Sequence, residues 1–455
     1  MKETEKIVVK FGGSVLKDHR GFADSADYLA GLHDEGRITI GVVSAPKGVT
    51  NSLKKAESDR DKKNVRVFTE ELREKYDTIL GEIPARNMRD EASNQMEEEL
   101  NHLKELLLSS GKRDEIVSKG ETHSGIILSH MMRGRGYDST FIDGYGVGVT
   151  VNSKGGIEES LTLQNIRNNL ERYLGSSIPI VGGYVGRCTE TNEYRLLGDN
   201  TTDVTGALVA SAVHAVIYEI VKDVPGIYRV EPEFGKKDVI PILSYDEASQ
   251  ITWRGSEVVH PLAIQYAKHN SIPIRVKNLR QRKSTLISRE SSTTHEHPVA
   301  AISARRFYLI SVEDDLMDTP EGRGYLSKMT GILSESGVDI SDVSTSPNVI
   351  SVTIPLGSQK TDGRIEGVLK KRLEDYGYHP NVQGKEVGGI SITGEAMQNR
   401  PGTFAHLAGI LGRKRISIIM GSQSDETLRS PNIIFYIRPK LLRTAVNAYC
   451  EDLLT

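Results

Sequence analysis

Cysteine is almost missing from this chain: there are two, Cys188 and Cys450, among 455 residues. Two thiols so far apart exclude a disulfide framework and a cysteine-built zinc site, and they fit a reducing cytoplasm. A buried small hydrophobe is the ordinary role for each. Long apolar runs are missing too. None approaches the ~18 residues of a membrane span, and no signal peptide is read before the first strand, so a cytoplasmic protein without a membrane partner is expected. Nor is there an excess of either charge. A formal net charge of -3 with 26% charged residues gives no reason to expect nucleic acid or an anionic surface as partner. No protein-held metal site is read from the sequence.

What is present is length, ordinary composition and punctuated strands. The chain is too long for one core and calls for two to four domains. Its first element reads KIVVKFGGS, Lys6 to Ser14. Ile7, Val8 and Val9 make a short apolar run suited to a buried parallel strand. Lys10 follows, and then Gly12 and Gly13 permit a sharp turn and close approach to the backbone. A lysine beside a Gly-Gly turn can cradle a phosphate, with backbone N–H groups facing the anion. By itself the stretch fits a strand-end turn beside a surface lysine equally well.

The same grammar recurs. A helix from Gly21 to Leu32 carries Phe22, Ala26, Leu29 and Leu32 on one side, and a second strand, Ile38 to Val43, ends in the small polar loop SAPKGVT. Two such strand-to-loop junctions suggest parallel strands with a ligand at their carboxyl ends. Lys54 to Glu115 is charged and rich in helix formers, and predicts two or three amphipathic helices with Leu103, Leu106 and Leu107 turned inward. SKGETHSG follows, with Glu121 at the expected start of a further helix, where an acid would favour the helix dipole.

Ile178 to Gly182 is another buried strand. LLGDNTTDVTGA then places Thr201, Thr202 and Asp203 where an N-cap belongs. Capping explains one of them, but not Asp199, Asn200, Thr201, Thr202 and Asp203 together. Strands near 215–221 and 272–276 complete an open, mainly parallel α/β sheet sandwiched by helices. Residues 280–297 read as a polar linker after one edge strand. Beyond it, Phe307–Ile354 and Gly389–Ile437 each run strand, Gly-containing loop, helix ending in Gly-Ile-Leu, strand, turn, strand. That internal repeat suggests two small α+β modules.

In order and spacing, KFGGS, VVSAPKGVTN, SKGE, GDNTTD, KDVPGIY, SYDEASQ, GSEVVHP and IPIRVKN resemble the aspartokinases of the amino-acid-kinase superfamily. The C-terminal repeat resembles tandem ACT domains of βαββαβ type. The resemblance implies a catalytic domain at 1–295 with a helical insertion at about 54–115, a first ACT domain at 305–385 and a second at 386–455. It implies phosphoryl transfer from ATP, with Mg²⁺, to an amino acid.

Position by position, the resemblance puts Lys10, Gly12, Gly13, Lys222 and Asp203 at the catalytic centre. Ser44, Thr50, Glu121, Asp199, Thr202 and Asp203 line the amino-acid site, where Glu121 and Asp203 hold the ammonium group. Lys10, Gly13, Ser14, Lys222, Asp223 and Tyr228 contact the nucleotide. Asp315, Met317, Tyr325, Leu326, Asp339 and Ile340 would take an effector, threonine or lysine, in a homodimer joined through ACT domains. Leu326 and Ile340 also read as plain core.

Two positions depart from the family pattern. The family's Arg in GRGGSD, which clamps a substrate carboxylate, is Asp199 here, and its phosphate-contacting Lys in GAKVLHP is Glu257. In partial exchange, Lys222 stands where the family has a Thr. Three functions therefore remain open: an aspartate kinase, with Arg254 or Arg187 as the clamp; a homoserine kinase, with Asp199 accepting from a hydroxyl nucleophile; and an inactive amino-acid-sensing subunit.

Overall fold

The computed structural model describes residues 4–109, 111–235, 238–254, 258–356, 364–398, 400–423 and 432–454. The chain divides into two compact units, Met1–Ile227 with Val239–Ser249 and Glu257–Ser291, and Tyr228–Asp238 with Gln250–Ser256 and Ser292–Thr455. Each is described by itself.

The first unit begins with β1 (Lys6–Phe11), α1 (His19–Asp34), β2 (Ile38–Val43), α2 (Val49–Ser58), α3 (Lys62–Leu80), α4 (Arg86–Leu108) and α5 (Arg113–Gly134). There follow β3 (Phe141–Ile142), α6 (Gly144–Val147), β4 (Thr150–Val151), α7 (Glu159–Leu170), β5 (Ile180–Gly182), β6 (Val185–Cys188), β7 (Tyr194–Leu196), α8 (Thr202–Ala212) and β8 (Ile217–Val221). The chain then forms β9 (Ile242–Ser244), α9 (Tyr245–Arg254), α10 (Pro261–His269), β10 (Ile274–Lys277) and β11 (Ser284–Ser288).

Eight strands form one sheet in the order β3-β5-β2-β1-β8-β10-β11-β9. Pairing is parallel from β3 to β10 and antiparallel only between β10 and β11. The expected linker over 280–297 thus contains a strand, and β11 lies inside the sheet, not at its edge. Its polar sequence hid it, because only Leu286 and Ile287 are large and apolar. The chain leaves β1 for β2 on one side and later fills the other side with β8. That reversal opens a crevice at the carboxyl ends of these three strands.

Alternation along β1 decides what faces that crevice. Ile7, Val9 and Phe11 join the core formed with α1, α3, α4 and α5. Val8 and Lys10 therefore point to the opposite face, where α8 packs on β1. Tyr218 and Ile220 of β8 are in register with Val8 and Lys10 and share their face. The helical insertion is α2, α3 and α4. Leu103 and Leu107 are buried as expected, whereas Leu106 is half-buried. Its acidic and basic residues form surface pairs such as Arg73 with Glu97.

The second unit continues with β12 (Ala301–Glu313), α11 (Tyr325–Glu335), β13 (Asp342–Ser346), β14 (Val349–Pro355), α12 (Arg364–Glu374), β15 (Asn381–Thr393), α13 (Thr403–Arg413), β16 (Met420–Gln423), β17 (Asn432–Ile437) and α14 (Leu442–Leu453). The strands form one antiparallel sheet, β13-β14-β12-β15-β17-β16. β12 and β15 pair along their whole length, from Ala301–Thr393 to Glu313–Asn381. The half of β12 after Phe307 also pairs with β14, and the half of β15 after Gly388 with β17.

The two cores follow the same division. Ile310 and Val312 pack with α11 and α12, while Ile302, Ile390 and Ile392 pack with α13 and α14. Each long strand therefore serves both modules, and the boundary at 385/386 falls inside β15. The repeat recurs in three dimensions: α11 and α13 both start after a left-handed glycine, Gly324 (φ 79°) and Gly402 (φ 78°). They bury Ile332–Leu333 and Ile410–Leu411 at matching positions.

Candidate active site

A cavity of about 540 Å³ opens at the carboxyl ends of β1, β2 and β8. Its centre is Asp203. The residue sits in the first turn of α8, whose N-cap is Thr201. The Thr201 hydroxyl bonds the Gly198 carbonyl, so the side chain that would cap the helix is engaged elsewhere. Asp203 is 2% exposed and Lys10 5% exposed, and Lys10 Nζ lies 2.6 Å from Asp203 Oδ1. The surface-lysine reading of KFGGS therefore fails, because a buried ammonium requires a partner and Asp203 supplies it.

Lys222 continues the alternation of Tyr218 and Ile220 past the end of β8. Its Nζ stands 3.3 Å from Asp203 Oδ2. The His260 backbone N–H also donates to that oxygen, at 3.2 Å. Burial by itself would raise the Asp203 carboxyl, but the two lysines outweigh it and hold the group at about 2. Burial pulls Lys10 below the ordinary lysine range, against the opposing pull of Asp203. Asp203, expected to hold a substrate ammonium, is paired with two lysines.

The Gly-Gly turn packs against the loop after β2. Lys47 N–H donates to Gly13 O at 2.9 Å. A Cβ on Gly13 would lie 2.5 Å from the Ala45 carbonyl oxygen, so only glycine permits this approach. Glu121 reaches the same loop from α5, its Oε1 accepting from Ala45 N–H at 3.0 Å. The contact needs Gly120, where a Cβ would meet the Ala45 methyl at 2.6 Å. Glu121 is not a first-turn residue as expected, because α5 starts at Arg113 and Glu121 lies well inside it. It is 4% exposed, and burial pushes its carboxyl up to about 8. Its second oxygen, Oε2, is buried with no hydrogen-bond partner among the described residues.

Asp199 lies at the cavity's rim, where its Oδ1 accepts from Lys54 Nζ (2.5 Å) and from the Tyr184 hydroxyl (3.2 Å). The Lys54 hydrogen bond holds the Asp199 carboxyl below its usual range. Tyr184 follows the Gly182-Gly183 turn with a φ of 72°, an uncommon conformation for an aromatic residue.

Lys10, Gly12, Gly13, Ser14, Ser44, Thr50, Glu121, Asp199, Thr202, Asp203, Lys222 and Asp223 all line this one cavity. Tyr228 does not; it belongs to the second unit. Arg187 is on β6 against the Tyr145 ring and does not line the cavity. Glu257 and the side chain of Arg254 lie outside the described residues. Lys47, Asn51 and Tyr184 also line the cavity and were missed, as was Lys54 beside Asp199; Asn200 lines it from the loop the sequence had marked. Thr50, Asn51 and Lys54 share a helix face by their three- and four-residue spacing, a signal that was available in the sequence.

In the second unit, Tyr325 is buried and its hydroxyl donates to Asp314 Oδ2 at 3.2 Å. Asp314, absent from the sequence-based set, also accepts from Leu316 N–H and His379 N–H. Met317 and Ile340 pack partly buried against this core, whereas Leu326 is 38% exposed, against the core reading, and Asp339 is exposed. Asp315 borders Asp314 in the same loop.

The lysine-carboxylate-glycine cluster lies at a topological switch point of the sheet, where ligands of open α/β folds bind. The family model described as the amino acid kinase family matches residues 5–278, and an ACT-domain model matches 390–453. The chain belongs to the amino acid kinase family. Its relatives include an aspartokinase of Schizosaccharomyces pombe, 25% identical over 395 residues that cover 79% of this chain and 73% of the relative. Among solved structures, E. coli aspartokinase III in complex with aspartate and ADP (R-state) superposes with a TM-score of 0.80 at 23% identity, covering 99% of this chain and 100% of the other. The same enzyme in complex with lysine and aspartate (T-state) gives 0.79 at 22%, covering 99% and 100%.

Among the described residues no helix is long and apolar enough to cross a membrane, and no cluster of three or more His, Cys, Asp or Glu could hold a metal ion.

Proposed function

We propose that the protein is an aspartate kinase, forming the acyl phosphate 4-phospho-L-aspartate from ATP and aspartate. The observation that carries this reading is the meeting of Lys10 and Lys222 at Asp203, in one cavity with the unpartnered Glu121 Oε2. Its relatives' names support the same acceptor.

The cavity fits the ATP phosphates: the Gly12-Gly13 turn lines it, packed against the loop after β2, and the Lys10 and Lys222 ammonium groups line it too. ATP with Mg²⁺ supplies the phosphoryl group and part of its charge neutralisation. The metal would travel with the phosphates and not in a protein cage.

Lys10 and Lys222 stabilise charge developing on the phosphoryl oxygens, and Asp203 fixes both ammonium groups beforehand, so no reorganisation is needed at transfer. Glu121 Oε2 receives the α-ammonium of the amino acid, which returns the buried carboxyl to its ionised form. Ser44, Thr50 and Thr202 offer hydroxyls to the remainder of the acceptor. A carboxylate nucleophile is already ionised at neutral pH and needs no base.

That requirement separates the acceptors. Homoserine would need a base for its hydroxyl, and Asp199, the residue that suggested it, is engaged by Lys54. Lys222 takes the role left by the missing lysine at Glu257. The intact lysine pair argues against an inactive sensor subunit. The second unit would bind lysine or threonine near Tyr325 and Asp339 and join two chains, and two buried cysteines outside any disulfide are in keeping with a cytoplasmic setting.

The test incubates the protein with ATP, Mg²⁺ and aspartate in hydroxylamine. Aspartyl hydroxamate with stoichiometric ADP is expected. ADP release with homoserine and none with aspartate would overturn the reading.

A further inference from the structure

Lys54 reaches the cavity rim from α2, one turn beyond Thr50 and Asn51, which line it. Its ammonium is held there by Asp199 Oδ1, which the Tyr184 hydroxyl also contacts. On either side of Asp199, Gly198 and Asn200 take positive φ values of 109° and 61°. Two separate loops and one helix thus converge on Lys54 at the mouth of a pocket lined by four acids, Glu121, Asp199, Asp203 and Asp223, and by three lysines, Lys10, Lys47 and Lys222.

A dicarboxylate acceptor entering such a pocket needs a cation that the phosphates do not use. Lys10 and Lys222 are committed to Asp203. Lys47 sits beside the Gly13 turn, on the phosphate side. Among the described residues, Lys54 is the lysine that meets the rim outside these two groups, through Asp199. Its pair with Asp199 is largely solvent-accessible, with 71% of the Asp199 side chain exposed, so water screens the pair and a substrate carboxylate can compete for it at little cost.

We propose that Lys54 is the specificity-determining cation that receives a carboxylate of the acceptor amino acid at the cavity rim, and that Asp199 is its positioning residue. The inference rests on the acidic-acceptor reading above. An acid at position 199 then assists an acidic substrate: it does not bind the substrate itself but presents the lysine that does. The transferring end of the acceptor stays with Lys10 and Lys222, so Lys54 acts on binding and discrimination.

The experiment measures hydroxamate formation by Lys54→Gln, Lys54→Arg, Asp199→Asn and the Lys54→Gln/Asp199→Asn pair in the full chain. Lys54→Gln is expected to raise the aspartate KM by about tenfold to a hundredfold, the loss of one charged hydrogen bond. Its kcat and ATP KM should stay within about twofold, with Lys54→Arg restoring most of the affinity. Asp199→Asn should raise the aspartate KM by itself and add nothing in the Lys54→Gln background, since it acts through that lysine. An unchanged aspartate KM in Lys54→Gln, or an equal loss toward aspartate and ATP, would overturn the inference while leaving the aspartate kinase reading intact. An unmodified protein that forms no hydroxamate overturns both.

Discussion

Lys222 Nζ approaches Asp203 on the carboxylate oxygen opposite the one that Lys10 holds, at 3.3 Å against 2.6 Å. One buried acid thus fixes two ammonium groups, one on β1 and one just past the end of the neighbouring β8. The two lysines outweigh the effect of burial on the Asp203 carboxyl, which stays ionised between them.

Lys222→Met should lower kcat by about 10²- to 10³-fold, the usual loss when one preorganised donor to a developing charge is removed. Initial rates of hydroxamate formation over a range of aspartate concentrations would show it, with the aspartate KM nearly unchanged. A variant with unmodified kcat would place Lys222 outside the phosphoryl site.

Glu121 gives the protein a signature in pH. With its carboxyl pushed up to about 8, the free protein holds a proton there at neutrality and offers the ammonium no counter-charge. The kcat/KM for aspartate should therefore rise with pH through about 8, since that ratio reports the free enzyme. Glu121→Gln should abolish this limb and cost about tenfold to a hundredfold in kcat/KM. Stability runs the other way. A folded-state value above the unfolded one means the folded chain binds the proton more tightly, so stability falls as pH rises from the unfolded value near 4.5 towards about 8. Urea unfolding of Glu121→Gln should lack that decline.

Gly13→Ala should destabilise the first unit by about 1–3 kcal/mol, because its methyl meets the Ala45 carbonyl and both neighbours are backbone. Gly12→Ala, whose Cβ would sit 3.4 Å from Val221 O, should cost less. Urea midpoints of the two variants give the comparison, and equal midpoints would count against the close-approach argument.

Asp314 and Asp339 should separate structure from regulation in the second unit. Asp314→Ala removes the acceptor of three hydrogen bonds in a buried loop and should cost about 1–3 kcal/mol of stability. Asp339→Ala, at an exposed position, should leave the melting temperature alone. It should raise the lysine or threonine concentration needed for inhibition by about tenfold, within the usual range of coupling energies. Inhibition curves for both amino acids check this, and unchanged curves would remove Asp339 from the effector site.

Local sequence carried much of the site. KIVVKFGGS showed a strand, a lysine and a turn because apolar runs and Gly-Gly pairs act over a few residues. The twelve positions that meet in the cavity were nearly all in loops the sequence marked as polar and glycine-containing. Glu121 was misplaced on its helix because Arg113 to Ser118 offers no strong cap, as the N-cap Lys112 makes no capping bond. The strand Ser284–Ser288 was read as no more than an edge strand before a polar linker, because sheet pairing, not hydrophobicity, holds its polar residues. The two modules of the second unit were legible as a repeat, but their sharing of β12 and β15 was not, because a strand shared by two modules looks, in sequence, like the end of one and the start of the next.

The sequence by itself determined the elements, their order and the residues able to handle phosphate and ammonium, since these depend on short-range periodicity and on side-chain chemistry. Only the tertiary structure decided the partnerships. Lys54 meets Asp199 across 145 positions, and Glu121 meets the Ala45 amide across 76. Such contacts are set by sheet order and helix packing, which bring β1, β2 and β8 side by side whatever their separation along the chain. For that reason Asp199, an acid where the family has a base, could be understood only once Lys54 was seen beside it.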